Sequence, residues 1–295
     1  MTYPHLSEKA QNIADAPDLE RIHYINQRFF IPYQRAQELL DEMEDLLTHP
    51  KTNRMPNLLI VARSNNGKTE ILKEFLIRHP PEDRITSDKI HAPVIYIQSP
   101  PGPSEDIFLH KALQALWAPV KVTDSPAKKL NQLIDLLDRI GVKMLLIDEL
   151  NSLLAGSATK QRLFLNMLKY IGNELKIPIV AAGTAEAKQA VTTDGQLESR
   201  FPRRAIPRWK WGKDFRRLLA SFEHILPLKE PSHLSDIRLG KYLYGTCEGV
   251  IGGLSTVIRS AAEEAITSGK EMIDQESIKN CKAMTRGSQL DIEEV

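Results

Sequence analysis

The sequence predicts an α/β protein, a parallel five-stranded sheet between layers of helix, followed by a small all-helical region. Three observations lead there. Four short runs, "NLLIVA", "APVIYIQ", "VKMLLIDEL" and "IPIVAAGT", are rich in Ile, Val and Leu and show little apolar/polar alternation. Strands buried on both faces of a parallel sheet have this composition. Helical stretches separate the runs, as parallel crossovers require. Beyond about residue 213 strand runs give way to helical patterns alone.

In chain order, residues 1–53 form an N-terminal extension with one strong helix signal, "YQRAQELLDEMEDLLTH". Ala36, Leu39, Leu40, Met43, Leu46 and Leu47 fall on one face at helical spacing. Residues 54–212 hold the four strand runs, and "RRAIPRW" is a candidate fifth strand. Residues 213–283 read as four helices, "DFRRLLASFEHIL", "SDIRLGKYLYGTC", "GLSTVIRSAAEEAITSG" and "QESIKNCKAM". Residues 284–295 are a polar, acidic tail, expected to be mobile in isolation.

Composition narrows the classes. The 295 residues are 42% hydrophobic and 26% charged, ordinary for a globular protein. A net charge of +1 gives no global attraction to nucleic acid, so any such binding rests on local patches. Cys247 and Cys281 lack metal-ligand spacing, and a reduced, cytoplasmic setting is the simplest expectation. No apolar run approaches the roughly 20 residues that span a bilayer. The N-terminus is polar and mixed in charge, unlike a secretory signal.

The chemistry begins at "NLLIVARSNNGKTEILKEF". An apolar strand breaks into small polar residues and enters a helix at Gly67-Lys68-Thr69, the order of a phosphate-binding loop. Backbone N–H groups of Ser64, Asn65, Asn66 and Gly67 and the helix dipole favour an anion there. Lys68 can reach β- and γ-phosphates, and the Thr69 hydroxyl can ligate Mg²⁺. Ala62 stands where the usual pattern has its first glycine. The strand "KMLLIDEL" ends in Asp148-Glu149, placing a metal-holding aspartate beside a glutamate able to orient or deprotonate water. Thr184, just past "IPIVAAG", either contacts the γ-phosphate or attacking water, or caps the following helix. Between Arg200 and Arg217 eight basic residues face one acid, with Trp209, Trp211 and Phe215 interleaved. An arginine finger led by Arg200, a grip on phosphate backbone, or a solvated basic turn with structural tryptophans all fit this pattern.

These motifs together resemble a AAA+ ATPase: phosphate loop, Asp-Glu strand end, Thr after the next strand, and "LESRF" leading into a helical lid. With "RMPNLLIVARSNNGKTEILKEF", "LASFEHILPLKEPSHLS" and "CEGVIGGLSTVIRSAAEEAI", the chain is similar to the TniB/TnsC family of AAA+ transposition regulators from about Phe30 to Ala283. The resemblance implies ATP bound with Mg²⁺ between subunits of a homo-oligomer, as rings or helical filaments on double-stranded DNA. It implies partners too: a TniQ-like target selector and a DDE transposase of the TnsB/TniA kind, with hydrolysis dismantling the assembly. By position, Lys68 and Thr69 take the phosphate-loop roles, Asp148 and Glu149 the metal and water roles, and Thr184 the first sensor. Arg200 is the finger, with Arg203 or Arg204 as substitutes.

The second sensor is displaced. The early lid position reads Gly252-Gly253, and the nearest arginine is Arg259. Family members contact DNA near the loop after the second strand, here "SPPGPSED" without lysine; Lys111, Lys121, Thr123, Lys128 and Lys129 lie nearby. The alternative is a clamp- or helicase-loader-like ATPase acting on a protein partner without filaments. A small-molecule kinase or GTPase is disfavoured. No Asn-Lys-x-Asp segment follows Asp148, and a lid has no use in a small kinase.

Overall fold

The computed structural model describes residues 3–84, 89–185 and 201–281. The chain divides into two compact units, Gln34–Pro207 and the remainder, which joins the segment up to Tyr33 with the chain from Arg208 onward. The stretch read from sequence as one extension, 1–53, therefore contributes to both. Residues 284–295, the acidic tail, lie outside the described residues.

The chain opens with α1 (Glu8–Ala14) and α2 (Asp18–Ile25), which belong to the second unit. The first unit starts with α3 (Gln34–Thr48), whose buried residues Ala36, Leu39, Leu40 and Met43 lie on the predicted face. Then follow β1 (Leu58–Val61), α4 (Lys68–Arg78), β2 (Glu82–Arg84), β3 (Lys89–His91), β4 (Val94–Gln98), α5 (Glu105–Ala115) and α6 (Pro126–Arg139). β5 (Met144–Asp148), a 3-10 turn (Leu150–Ala155), α7 (Ala158–Leu175), β6 (Ile179–Gly183) and β7 (Arg203–Ala205) complete it.

The main sheet has the order β4-β5-β6-β1-β7, and every pairing in it is parallel. All four apolar runs are strands, and the fifth lies where "RRAIPRW" places it. β5 and β6 are buried at every position. Leu145, Ile147 and Ala181 pack with Phe108, Leu133, Leu137, Phe164 and Ile171 from the covering helices. Each fully buried aliphatic or aromatic side chain there contributes about 1.5–3 kcal/mol. Helix starts follow capping chemistry: the side chains of Ser104, Ser125 and Ser157 accept backbone N–H bonds at α5, α6 and α7. The antiparallel hairpin β2–β3 was not expected; strands of three residues, "EDR" and "KIH", carry too little pattern to read.

The second unit adds α8 (Lys213–Ile225), α9 (Ile237–Cys247), α10 (Ile251–Thr267) and α11 (Gln275–Asn280). Phe215, Leu219, Phe222, Leu243, Leu254, Ile258 and Ala262 form its core, joined by Ile25 of α2. Trp209 and Trp211 pack against this core in ring contact with Phe215. Gly249 (φ +73°) admits the close approach: a Cβ there would stand 2.3 Å from the Trp209 carbonyl oxygen. Arg21 of α2 is fully buried and binds the Pro227 carbonyl (2.7 and 3.1 Å) and the Glu271 carboxylate. Burial alone would raise the Glu271 carboxyl; the Arg21 guanidinium and the Lys229 backbone N–H hold it below the usual range.

Candidate functional site

β1, β5 and β6 run parallel, so their C-terminal ends open on one edge of the sheet, where ligands of open α/β sheets bind. Register places the chemistry. Val61 stands opposite Gly183, so the loop after β1 and Thr184 after β6 emerge side by side. β5 delivers Asp148 to the same edge, one strand away from β1.

The loop from Ala62 to Gly67 turns through two left-handed residues, Asn65 (φ +59°) and Gly67 (φ +84°). Asn tolerates that region and glycine is free in it. Gly67 is the N-cap position of α4, which begins at Lys68. The Lys68 side chain is buried, and its Nζ donates to the carbonyls of Ala62 (3.2 Å) and Arg63 (2.9 Å). Ser64 and Asn65 are exposed at the tip. Asn66 is buried and turned away, its Nδ2 donating to the carbonyls of Ile206 (3.1 Å) and Pro207 (3.2 Å).

Thr69, on the first turn of α4, donates from Oγ1 to Oδ2 of Asp148 at 2.7 Å. The same oxygen accepts from the Tyr96 hydroxyl at 2.9 Å, and Oδ1 accepts from the Glu149 backbone N–H at 2.8 Å. Asp148 is buried with both oxygens engaged. Tyr96 was missed by sequence reasoning. Its role depends on strand register: Gln98 of β4 lies opposite Asp148, and Tyr96, two residues back, shares that face. Burial, then the neighbouring Asp148 and Glu149 charges, push the Tyr96 phenol well up, so it stays a proton donor. Glu149 has φ +58°, a left-handed conformation uncommon for a residue other than glycine and one that occurs at functional sites.

The remaining candidates are dispersed. Arg200 lies outside the described residues. Arg203 and Arg204 are on β7, and Arg204 Nε donates to Glu42 of α3 at 2.8 Å. Arg259 is on α10, in the other unit. Lys111, Lys121 and Thr123 are exposed, and Lys128 is exposed with its Nζ 2.6 Å from Asp124. Lys129 is corrected by the structure. It is fully buried, donating to Asp106 (2.7 Å) and the Val122 carbonyl (3.2 Å), and braces α6 against α5 rather than facing a ligand.

The donor set fits a nucleotide with Mg²⁺. Thr69 and Asp148 bring a hydroxyl and a single carboxylate together, and Mg²⁺ in phosphate sites takes one or two such protein oxygens, with water and phosphate completing the shell. Among the described residues no His/Cys/Asp/Glu cluster could hold a metal by itself.

Fold and site together define a P-loop ATPase of the AAA+ class. The chain belongs to the TniB family, whose model, described as bacterial TniB protein, matches residues 21–211. Solved structures agree on the fold. The chain is similar to the Aeropyrum pernix ORC2 protein in its ADP form, at 17% identity and a TM-score of 0.63, covering 89% of this chain and 72% of that one. The Aeropyrum pernix ORC1 protein in complex with DNA gives 16% and 0.63, over 92% and 69%. The S. cerevisiae Hsp104–ADP complex gives 14% and 0.56, over 92% and 45%. No curated protein matches the chain.

Proposed function

We propose that the protein is an ATP-dependent regulator of DNA transposition that assembles on double-stranded DNA. It links a TniQ-like target selector to a DDE transposase and hydrolyses ATP to disassemble. The observation that carries this reading is the Thr69–Asp148 pair beside Glu149 at the mouth of the Lys68 loop, in a chain of the TniB family.

In this reading Lys68 exchanges its loop carbonyls for the phosphates and offsets their charge. Thr69 and Asp148 hold Mg²⁺, which when bound neutralises developing charge on the phosphate oxygens. Glu149 accepts a proton from the attacking water, and Thr184 orients that water or the γ-phosphate. Arg200, with Arg203 or Arg204 as substitutes, reaches the nucleotide of a neighbouring copy, and Arg259 is the candidate for the second-sensor role. The exposed Lys111, Lys121, Thr123 and Lys128 meet the DNA backbone. Binding there depends on salt more than on sequence.

The test is DNA binding with ADP, ATP and a slowly hydrolysed analogue, read by electron microscopy. Ordered assemblies on DNA are expected only with the triphosphates. Glu149→Gln should prolong them and Lys68→Ala abolish them. Assembly without nucleotide contradicts the reading. The second reading is a clamp- or helicase-loader-like ATPase acting on a protein partner without filaments, which closed rings without filaments on long DNA would support.

A further inference from the structure

Asn66 sits inside the phosphate loop, yet its side chain faces away from the loop's mouth. It is 1% exposed. Both donors of its amide are committed, to the carbonyls of Ile206 and Pro207. Its acceptor, Oδ1, is buried without a hydrogen-bond partner among the described residues. The orientation is fixed by chemistry, because the flipped amide would set an oxygen against two carbonyl oxygens. The two carbonyls stand at a defined place in the chain. Ile206 N donates to Val61 O at 2.9 Å, the last bond of the β1–β7 ladder, and the unit ends at Pro207. Asn66 thus joins the phosphate loop to the final two residues of this unit, just past β7.

The amide is poised unevenly. A buried acceptor with no donor carries a desolvation cost, and a shift of the loop that supplied one would disturb the two bonds opposite. The loop is also closed on itself, with Lys68 spent on Ala62 and Arg63, so phosphate entry must rearrange it. A ligand shifts a conformational equilibrium only through contacts that differ between states, and the Lys68 bonds to Ala62 and Arg63 are contacts that a bound phosphate would replace.

We infer that Asn66 is a positioning residue that transmits occupancy of the phosphate loop to the Ile206–Pro207 segment. The inference rests on the nucleotide-binding reading. It is tested on the full chain by amide hydrogen exchange over residues 201–212, with and without a slowly hydrolysed ATP analogue, beside direct measurement of analogue binding and of thermal melting. In the natural protein the analogue should change exchange over 201–212. Asn66→Ala, read at analogue concentrations that saturate it, should lose that exchange response. A merely structural role would lower the melting point and leave the response in place. If Asn66→Ala does not fold, Asn66→Thr, which keeps one donor, is judged by the same criterion and should retain at most a weakened response. A response undiminished in the folded variant overturns the inference and leaves nucleotide binding standing. So does a folded variant that no longer binds, since the side chain would then belong to the binding site. A natural protein that binds without any change over 201–212 overturns it as well. A natural protein that takes up no nucleotide overturns the reading beneath.

Discussion

Thr69 Oγ1 and Asp148 Oδ2 lie 2.7 Å apart, joining the helix after the phosphate loop to the end of a strand that is not its neighbour in the sheet. The two oxygens suit a shared Mg²⁺, so their charge matters more than their hydrogen bond. Asp148→Asn removes the charge, while its amide oxygen can still accept from the Glu149 N–H and its NH2 donate to the Thr69 and Tyr96 hydroxyls. Hydrolysis should fall by about a hundredfold or more, the scale set by losing one preorganised electrostatic partner, with the melting point little changed. Steady-state ATPase assays across Mg²⁺ concentrations check this; near-normal turnover would remove Asp148 from the metal role.

Tyr96 reaches the same carboxylate oxygen from β4. Tyr96→Phe deletes one bond to the aspartate without changing shape or charge. Partners that orient a metal-holding group are typically worth about 10–100-fold in metal affinity or activity. The expected result is a rise of about that size in the Mg²⁺ concentration needed for half-maximal turnover, with kcat at saturating Mg²⁺ reduced far less. An unchanged Mg²⁺ profile would leave Tyr96 a packing residue.

Glu149 separates chemistry from backbone conformation. Its φ of +58° costs a non-glycine residue free energy. Glu149→Gln keeps that conformation and removes the proposed base, so hydrolysis should be lost while ATP binding persists. Glu149→Gly also removes the base, but relieves the strain and should raise stability by up to about 1 kcal/mol. Denaturant unfolding of the two variants, paired with ATPase assays, reads both effects. A destabilised glycine variant would show that side-chain contacts of Glu149 outweigh its backbone.

Two lysines eight residues apart in sequence have opposite fates. Lys121 is exposed, whereas Lys129 is buried against Asp106. If the exposed set meets DNA, Lys121→Ala should weaken binding and reduce the slope of log affinity against log salt by about one. Lys129→Ala should instead lower folding stability by about 2 kcal/mol, the scale of a lost bond to a charged group, with the salt slope retained in the folded protein. Binding isotherms at several salt concentrations, set beside melting curves, separate the two.

This contrast shows where the sequence was legible. Lys129 shares helical spacing with Leu133 and Leu137, both buried, so the signal for its burial was present in "KKLNQLIDLL". The four apolar strands were readable because each is rich in Ile, Val, Leu or Ala, most plainly β5 and β6, which are buried at every position. Thr69 and Asp148 could be placed at one sheet edge from sequence because Thr69 opens the helix after β1 and its loop, and Asp148 ends β5. Tyr96 and the Asn66 tether were not, since each acts across a register or a loop contact between distant segments. The same holds for α2, whose Arg21 finds Glu271 and Pro227 far along the chain.

That helical unit should also respond to acid. Asp274 caps α11, accepting from Ser277 N (2.8 Å) and Ser277 Oγ (2.9 Å), and pairs with Lys270. Burial pushes its carboxyl up, but these donors outweigh it and bring the pKa down to about 2. Glu271 is lowered as well, by Arg21 and Lys229. Both folded values lie below the unfolded ones, near 4 for carboxyls, so in that window the unfolded chain binds more protons. The stabilisation is complete above about pH 5 and is lost progressively as pH falls toward about 2. Melting temperatures taken from about pH 6 down to about pH 3 should therefore fall below about pH 4.5. Asp274→Asn should melt lower near neutrality and show a shallower acid decline, because its contribution no longer titrates. If the variant's acid decline is as steep as the natural protein's, other carboxylates govern it.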